Sequence, residues 1–374
     1  MADKPSVLIV GGGIAGMSAG IALRENGVDV ELVERDPEWR VYGAGITITG
    51  PTLRAMRRLG VYEDVAATGY VGDGIDVCSV DGRRLFQIDT RSPDCRDVAS
   101  AGGILRPNLH KILSKRLVAL GPTIRLGVYP ASYAWSDGRA VVAFSDGSIG
   151  SYHLVVGADG INSDTRRMLF SSAPAPAYAG QMCWRLMTER HPLVERRMFF
   201  LGGPGKVGVN PVSADQMYMF YLEGANEPLR RDERTQPEVL RDLLQEYGGV
   251  LKDVRESIDE NSNIICRPLK TVLAGDSWVN RNVVLIGDAA HATTPQLASG
   301  AGMGIEDGLV LAQEIAGAET IERALARFME RRYQRCKLVV DASLEISRLE
   351  RARSDPKAQA GVLKTALAAL NKEF

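Results

Sequence analysis

The chain is poor in cysteine and histidine, carries no excess charge of either sign and has no long apolar run. Its five cysteines, Cys78, Cys95, Cys183, Cys266 and Cys336, are scattered and odd in number. No pair has Cys-x-x-Cys spacing, so neither a zinc site nor a redox dithiol is indicated. Reduced, buried thiols of a cytoplasmic protein are the expectation. His110, His153, His191 and His291 show no metal-ligand spacing, and no metal is expected. A net charge of −1 gives nucleic acid or anionic lipid nothing to attract. No stretch reaches the roughly 18 apolar residues of a membrane span, and Val7-Leu8-Ile9-Val10 is too short for a signal-peptide core. Internal repeats and low-complexity tracts are also missing. What is present is 374 residues, 45% hydrophobic and 24% charged, enough for a large core.

The opening reads as strand, turn, helix, strand. Residues 6–10 form a fully apolar strand, as in a sheet covered on both faces. A helix over 14–26 stops at Asn26-Gly27, and residues 28–33 return as a second strand. Helical patterns recur over 51–60, 107–120 and 236–248, and from 304 to about 353. Strand patterns occupy 139–144, 151–156 and 283–286. Residues 198–201, 206–209 and 217–222 alternate in the manner of an antiparallel sheet.

Three glycine-bearing segments each follow a hydrophobic strand. In Gly11-Gly12-Gly13-Ile14-Ala15-Gly16, Gly11 permits a tight turn, Gly13 lets backbone approach a pyrophosphate and Gly16 lets helix and strand pack closely. The helix that starts there offers free N–H groups and a positive dipole end to phosphates. Glu34 closes the second strand, where a carboxylate binds ribose hydroxyls. Together these indicate dinucleotide binding. The second segment is Gly157-Ala158-Asp159-Gly160, followed by Arg166 and Arg167. On its own it reads as an Asp-Gly turn capping a helix from Ser163. The third is Gly287-Asp288-Ala289-Ala290-His291, with Pro295 and the turn Gly300-Ala301-Gly302-Met303-Gly304. His291 reads as a structural residue that caps or packs.

In this order the three segments resemble the FAD-dependent monooxygenases of the aromatic-hydroxylase type, over residues 6 to about 340. The resemblance implies an α/β architecture. A discontinuous Rossmann-like FAD-binding domain (1–71, 98–177 and 275–340) carries an inserted antiparallel β-sheet substrate domain (72–97 and 178–274), and a C-terminal helical segment covers 341–374. It assigns FAD contacts to Gly11, Gly13, Ile14, Ala15, Gly16, Glu34, Arg35 and Asp159. Asp288 would bond the ribityl chain, Pro295 would lie beside the isoalloxazine ring, and Gly300, Ala301, Gly302 and Met303 would turn N–H groups to the pyrimidine edge. Gly45, in the loop Gly43-Ala44-Gly45-Ile46, and Arg106 would lie near the flavin. Many relatives have asparagine or cysteine where Gly302 and Met303 stand here.

The implied reaction uses NAD(P)H as transient co-substrate and O2. A flavin C4a-hydroperoxide would hydroxylate a small aromatic or heteroaromatic substrate, in a monomer or homodimer. No second glycine fingerprint serves NAD(P)H, and the Trp-x-Trp-x-Ile-Pro motif of flavin halogenases is missing. Olefin epoxidation, a dehydrogenase or reductase on the same fold, and a non-catalytic FAD-binding protein stay open as alternatives. Trp184, Arg185, Tyr218 and Phe220 are the substrate-pocket candidates, with Arg185 and Tyr218 the catalytic ones. Aromatic residues at alternate positions are more often sheet core, and Arg185 either orients an acidic substrate or pairs at the surface.

Overall fold

The computed structural model describes residues 5–41, 43–91, 97–352 and 356–374; Cys95 lies outside them. The opening strand Ser6–Val10 pairs in parallel with Asp29–Glu34 on one side and Leu154–Gly157 on the other. These are the centre of a six-stranded sheet that adds Val283–Leu285 and Val279–Asn280 at one end and Thr123–Leu126 at the other. Leu8, Ile9, Val155, Val156 and Val284 are fully buried. The continuous apolar run of each strand thus reflects cover on both sheet faces.

The helix Ile14–Glu25 packs on this sheet, and the helix Gly300–Gly317 packs against that helix. Their axes approach closely because Gly308 has no side chain: a Cβ there would lie 2.6 Å from the Ala19 backbone nitrogen. The first helix ends at Asn26, with Gly27 at a φ of +75°.

A second, seven-stranded sheet is assembled from two separated stretches of chain. Ile75–Ser79 and Arg84–Ile88 join Ala177–Glu189, Met198–Leu201, Lys206–Pro211, Gln216–Gly224 and Ile264–Thr271. All its pairings are antiparallel except that of Met198–Leu201 with Ile75–Ser79. Arg185 stands opposite Phe220, Phe220 opposite Gly208, and Gly208 opposite Phe199. Directly opposed residues share a face, so this row looks one way. Trp184, Met219 and Val207 look the other way, into a separate core with Leu240, Leu244, Tyr247 and Leu251 from the helical segment beneath.

Several expected elements differ. The strand at 151–156 is two strands, Ile149–Tyr152 and Leu154–Gly157, in different sheets. His153 sits between them, and its Nδ1 accepts from the Ser6 backbone N–H at 2.9 Å. The helix at 236–248 ends at Leu243, and a second one, Val250–Glu256, begins after Gly249 at a φ of +57°. The helix from 304 is two helices, Gly300–Gly317 and Ile321–Arg351. Ala318 is extended, and the Thr320 side chain caps the new helix by accepting from Arg323 N–H at 3.2 Å. Because Ile321–Arg351 is one helix, no break falls at 341; a separate helix, Pro356–Leu370, packs against it.

Candidate active site

The three glycine segments meet. A Cβ on Gly11, whose φ is +107°, would lie 2.5 Å from the Ala158 carbonyl oxygen, so the first turn rests directly on the second. A Cβ on Gly287 would come within 2.6 Å of the Ala15 methyl carbon, and one on Gly304 within 2.9 Å of it. The first helix therefore touches the third segment at both its turn and its following helix. The second and third are tied by Arg166, whose buried guanidinium donates to the Ala289 carbonyl at 2.8 Å and the Ile161 carbonyl at 2.6 Å.

Around this junction lies a cavity of about 390 Å³. One wall is Gly13, Ile14, Ala15, Gly45, Arg106, Asp288, Pro295, Gly300 and Ala301. The facing wall is Arg197 together with the cavity-facing side of the seven-stranded sheet: Cys183, Arg185, Phe199, Lys206, Tyr218, Phe220 and Leu222. Asp288 projects its side chain into the cavity and is exposed there. A Cβ built on Gly13 would meet nothing within 4 Å, so the backbone of that turn is open to a ligand. The first N–H groups of Gly300–Gly317 also border the space and have no carbonyl of their own helix to bond.

Gly45 joins the two walls. A Cβ there would sit 2.3 Å from Tyr218 Cδ1 and 2.7 Å from Val212 Cγ1, so the tyrosine ring occupies the room that glycine leaves. The Tyr218 hydroxyl bonds the Thr47 hydroxyl, which also accepts from the Asn210 amide at 3.3 Å. Burial pulls the Arg106 guanidinium below its usual range. Arg185 adds to that effect, and Asp288 opposes it.

Other expected contacts lie away from the cavity wall. Gly16 packs inside the first turn, where a Cβ would strike the Gly11 carbonyl oxygen at 2.0 Å. Glu34 stands at the end of its strand and accepts from Gly12 N–H at 2.7 Å and Asp36 N–H at 2.9 Å. Arg35 is exposed; it pairs with Asp164 and lies over the Tyr129 ring at 5.0 Å. The Asp159 carboxylate accepts from the Ser163 hydroxyl and from Thr165 N–H at 2.9 Å, so it caps the short helix Asp164–Leu169. Gly302 faces Thr52, whose Oγ1 would be 2.1 Å from a Cβ, and Met303 is buried with its carbonyl bonded to Arg332.

Trp184 points away from the cavity into the other core, and its indole N–H donates to Glu223 at 2.8 Å. Strand alternation explains this, since neighbours 184 and 185 cannot share a face. Arg197, Phe199 and Lys206 were not expected in the site. Alternation along 197–201 carried the signal for the first two, but only the pairing of Met198–Leu201 with Lys206–Pro211 brings them beside Phe220.

His291 is structural, as expected. Its Nε2 bonds Asp307 at 2.6 Å, and Asp307 also accepts from Gly287 N–H at 2.8 Å and Arg332 Nε at 2.7 Å. Burial disfavours the charge on His291, but the Cys336 sulfur and the Asp307 carboxylate outweigh it and hold its pKa well above the usual range. Cys336 completes a buried trio with these two, but Arg332 already bonds both Asp307 and the Cys336 sulfur.

Residues 4–343 match the FAD binding domain family, and the chain belongs to it. It is 31% identical over 355 residues to YetM of Bacillus subtilis (strain 168), spanning 94% of this chain and 95% of that protein. It is 32% identical over 350 residues to the 2-heptyl-3-hydroxy-4(1H)-quinolone synthase of Pseudomonas aeruginosa (strain UCBPP-PA14), spanning 92% and 89%. Among solved structures, Klebsiella pneumoniae HpxO complexed with FAD and uric acid shares the fold. Its TM-score is 0.84 at 21% identity, over 99% of this chain and 98% of that one. No helix among the described residues is long and apolar enough to cross a membrane.

Proposed function

We propose that the chain is an FAD-dependent monooxygenase that uses NAD(P)H and O2 to hydroxylate a small aromatic or heteroaromatic compound. The observation that carries this reading is the cavity itself, with the three dinucleotide-type segments on one wall and an aromatic, cationic sheet face on the other. The relatives named for quinolone chemistry and for uric acid support a heteroaromatic ligand.

The residues fit FAD. Gly13, Ile14 and Ala15 open the helix N-terminus that would hold its pyrophosphate. Glu34, already fixed by two backbone N–H groups, would take the ribose hydroxyls. Asp288 would bond the ribityl chain, while Pro295 and the turn from Gly300 would border the ring. When bound, FAD supplies the redox and oxygen chemistry, which no side chain provides.

The protein's part is to place and enclose. The positive dipole and N–H groups at Gly300 and Ala301 would stabilise negative charge on the bound cofactor. The Gly45–Tyr218 contact closes the wall between cofactor loops and sheet, which keeps water from the reacting face. Tyr218 and Arg185 would orient the substrate ring. The reduced, buried cysteines Cys78, Cys183, Cys266 and Cys336 fit a cytoplasmic setting.

The test is reconstitution with FAD followed by NADH and NADPH oxidation against phenols and N-heterocycles, with product separated from H2O2. Oxidation stimulated by one compound class, with matching hydroxylated product, is expected. Flavin retention with no stimulated oxidation by any compound would favour the non-catalytic reading instead.

A further inference from the structure

The charges lining the cavity do not balance within its walls. Its cationic side chains are Arg106, Arg185, Arg197 and Lys206, and Asp288 is the only carboxylate among the described lining residues. One of the four cations is neutralised from behind the wall. Lys206 Nζ donates to Glu350 Oε1 at 2.7 Å, and the Glu350 side chain is only 8% exposed. Glu350 stands in the last turn of Ile321–Arg351, past residue 343 where the family match ends.

The same carboxylate reaches both sides of the cavity. Its Oε2 accepts from the Gln296 amide and from the Gln181 amide, each at 3.2 Å. Gln296 follows Pro295 and borders the cavity on the cofactor side, whereas Lys206 and Gln181 belong to strands of the seven-stranded sheet. Gln181 Oε1 closes the cluster by accepting from the Gln296 amide at 2.8 Å and from the Ser347 hydroxyl at 2.7 Å, three residues before Glu350 on the same helix. The Gln296 carbonyl oxygen, in contrast, is buried with no donor. An amide with both bonds on its nitrogen and none on its oxygen is oriented by the acceptors it meets, here Gln181 and Glu350.

Without this carboxylate the Lys206 ammonium, 5.7 Å from the centre of the Phe199 ring, would carry an unmatched charge on the cavity wall. We infer that Glu350 is a positioning residue for the flavin site. It fixes the Lys206 ammonium and the Gln296 amide, and it cancels the lysine's charge so that this charge does not add to the potential in which the cofactor is reduced. Reduction adds negative charge to a flavin, and fixed positive charge nearby favours that state. Glu350 therefore sets how readily the bound flavin accepts electrons, from a helix turn that itself contributes nothing to the cavity lining. This rests on the reading of the cavity as a flavin site and deepens it.

The test uses the FAD-loaded protein and needs no turnover. The equilibrium of flavin reduction against a reference dye is read by absorbance. Glu350→Gln keeps an acceptor for Lys206 but removes the negative charge. It should shift the equilibrium toward reduced flavin by about threefold or more, the effect of one charge across a partly screened cavity. Lys206→Met leaves Glu350 unmatched and should shift the equilibrium the opposite way. The double variant, with both charges gone, should return to the wild-type value. Neutral aromatic ligands, titrated against the flavin visible band, should bind Glu350→Gln as they bind the wild type. They should bind Glu350→Ala more weakly, because the amides lose their anchor. Loss of packing alone would move both single variants the same way and the double variant further. Shifts of one sign in both single variants, an unmoved equilibrium in Glu350→Gln, or an additive double variant would each overturn the inference. Failure of the monooxygenase reading looks different: the opposed shifts persist while no compound stimulates NAD(P)H oxidation.

Discussion

Replacing Arg332 by methionine tests what holds the cofactor wall in place. Arg332 is fully buried and donates to Asp307 at 2.7 Å, to Glu306 at 2.6 Å and to the Met303 carbonyl at 3.2 Å. Methionine fills much of the same volume but donates nothing. Each carboxylate keeps another partner, since Arg335 Nε still bonds Glu306 at 2.7 Å and His291 still bonds Asp307 at 2.6 Å. Removing one member of a buried ionic network costs about 3–5 kcal/mol, and the remaining partners put this change at the lower end. For 374 residues the unfolding entropy near the transition is about 0.8 kcal/mol per kelvin. The expected fall in Tm is therefore only about 4 °C, within reach of differential scanning calorimetry. Because the freed Met303 carbonyl lies in the first turn of the helix bordering the cavity, FAD should also be lost more readily during dialysis. An unchanged Tm together with unchanged FAD retention would refute the claim that this network supports the site.

Trp184→Phe should lower stability by about 1.5–3 kcal/mol by removing the bond to Glu223, with ligand affinity unchanged because the ring faces the other core; denaturant unfolding and the flavin-band titration separate the two effects. Gly45→Ala drives a methyl group into Tyr218, 2.3 Å from its ring, at an overpacking cost of about 1–3 kcal/mol. Its expected signature is weaker binding of both FAD and substrate, measured by fluorescence titration. Acid should loosen the same wall. Burial alone would raise the Asp307 pKa, but His291 and Arg332 outweigh it and hold it below the usual carboxylate range. A depressed folded pKa contributes stability that is present above the unfolded value near ~4 and lost as pH falls below it. Asp307→Asn should lack that component of the acid dependence in unfolding titrations.

The glycine turns were legible because their chemistry is local: strand, tight turn and helix N-terminus occupy adjacent residues, and Glu34 closes the next strand. The inserted sheet was legible as a sheet from its alternation. Its inner wall was not, because which residues share that wall depends on register between strands far apart in sequence. Arg197 and Phe199 enter the site only through the pairing of Phe199 with Gly208 and of Gly208 with Phe220. Trp184 and Arg185 could have been separated beforehand, since adjacent strand residues face opposite ways. Asp159 shows the converse, with a family motif position whose carboxylate is engaged in a helix cap that its own Asp-Gly-x-x-Ser spacing already implied. The break between Gly317 and Ile321 was hidden because helical composition continues on both sides of Thr320.

The central claim is that one flavin in this cavity transfers oxygen to an aromatic ring. Its most direct measurement is turnover under 18O2 by the FAD-loaded protein, with the best-binding compound and NAD(P)H, and mass analysis of the product. The expected product is hydroxylated and carries one labelled oxygen atom, with flavin bound at one per chain. Unlabelled product, or protein that stays colourless after reconstitution with FAD, would contradict it.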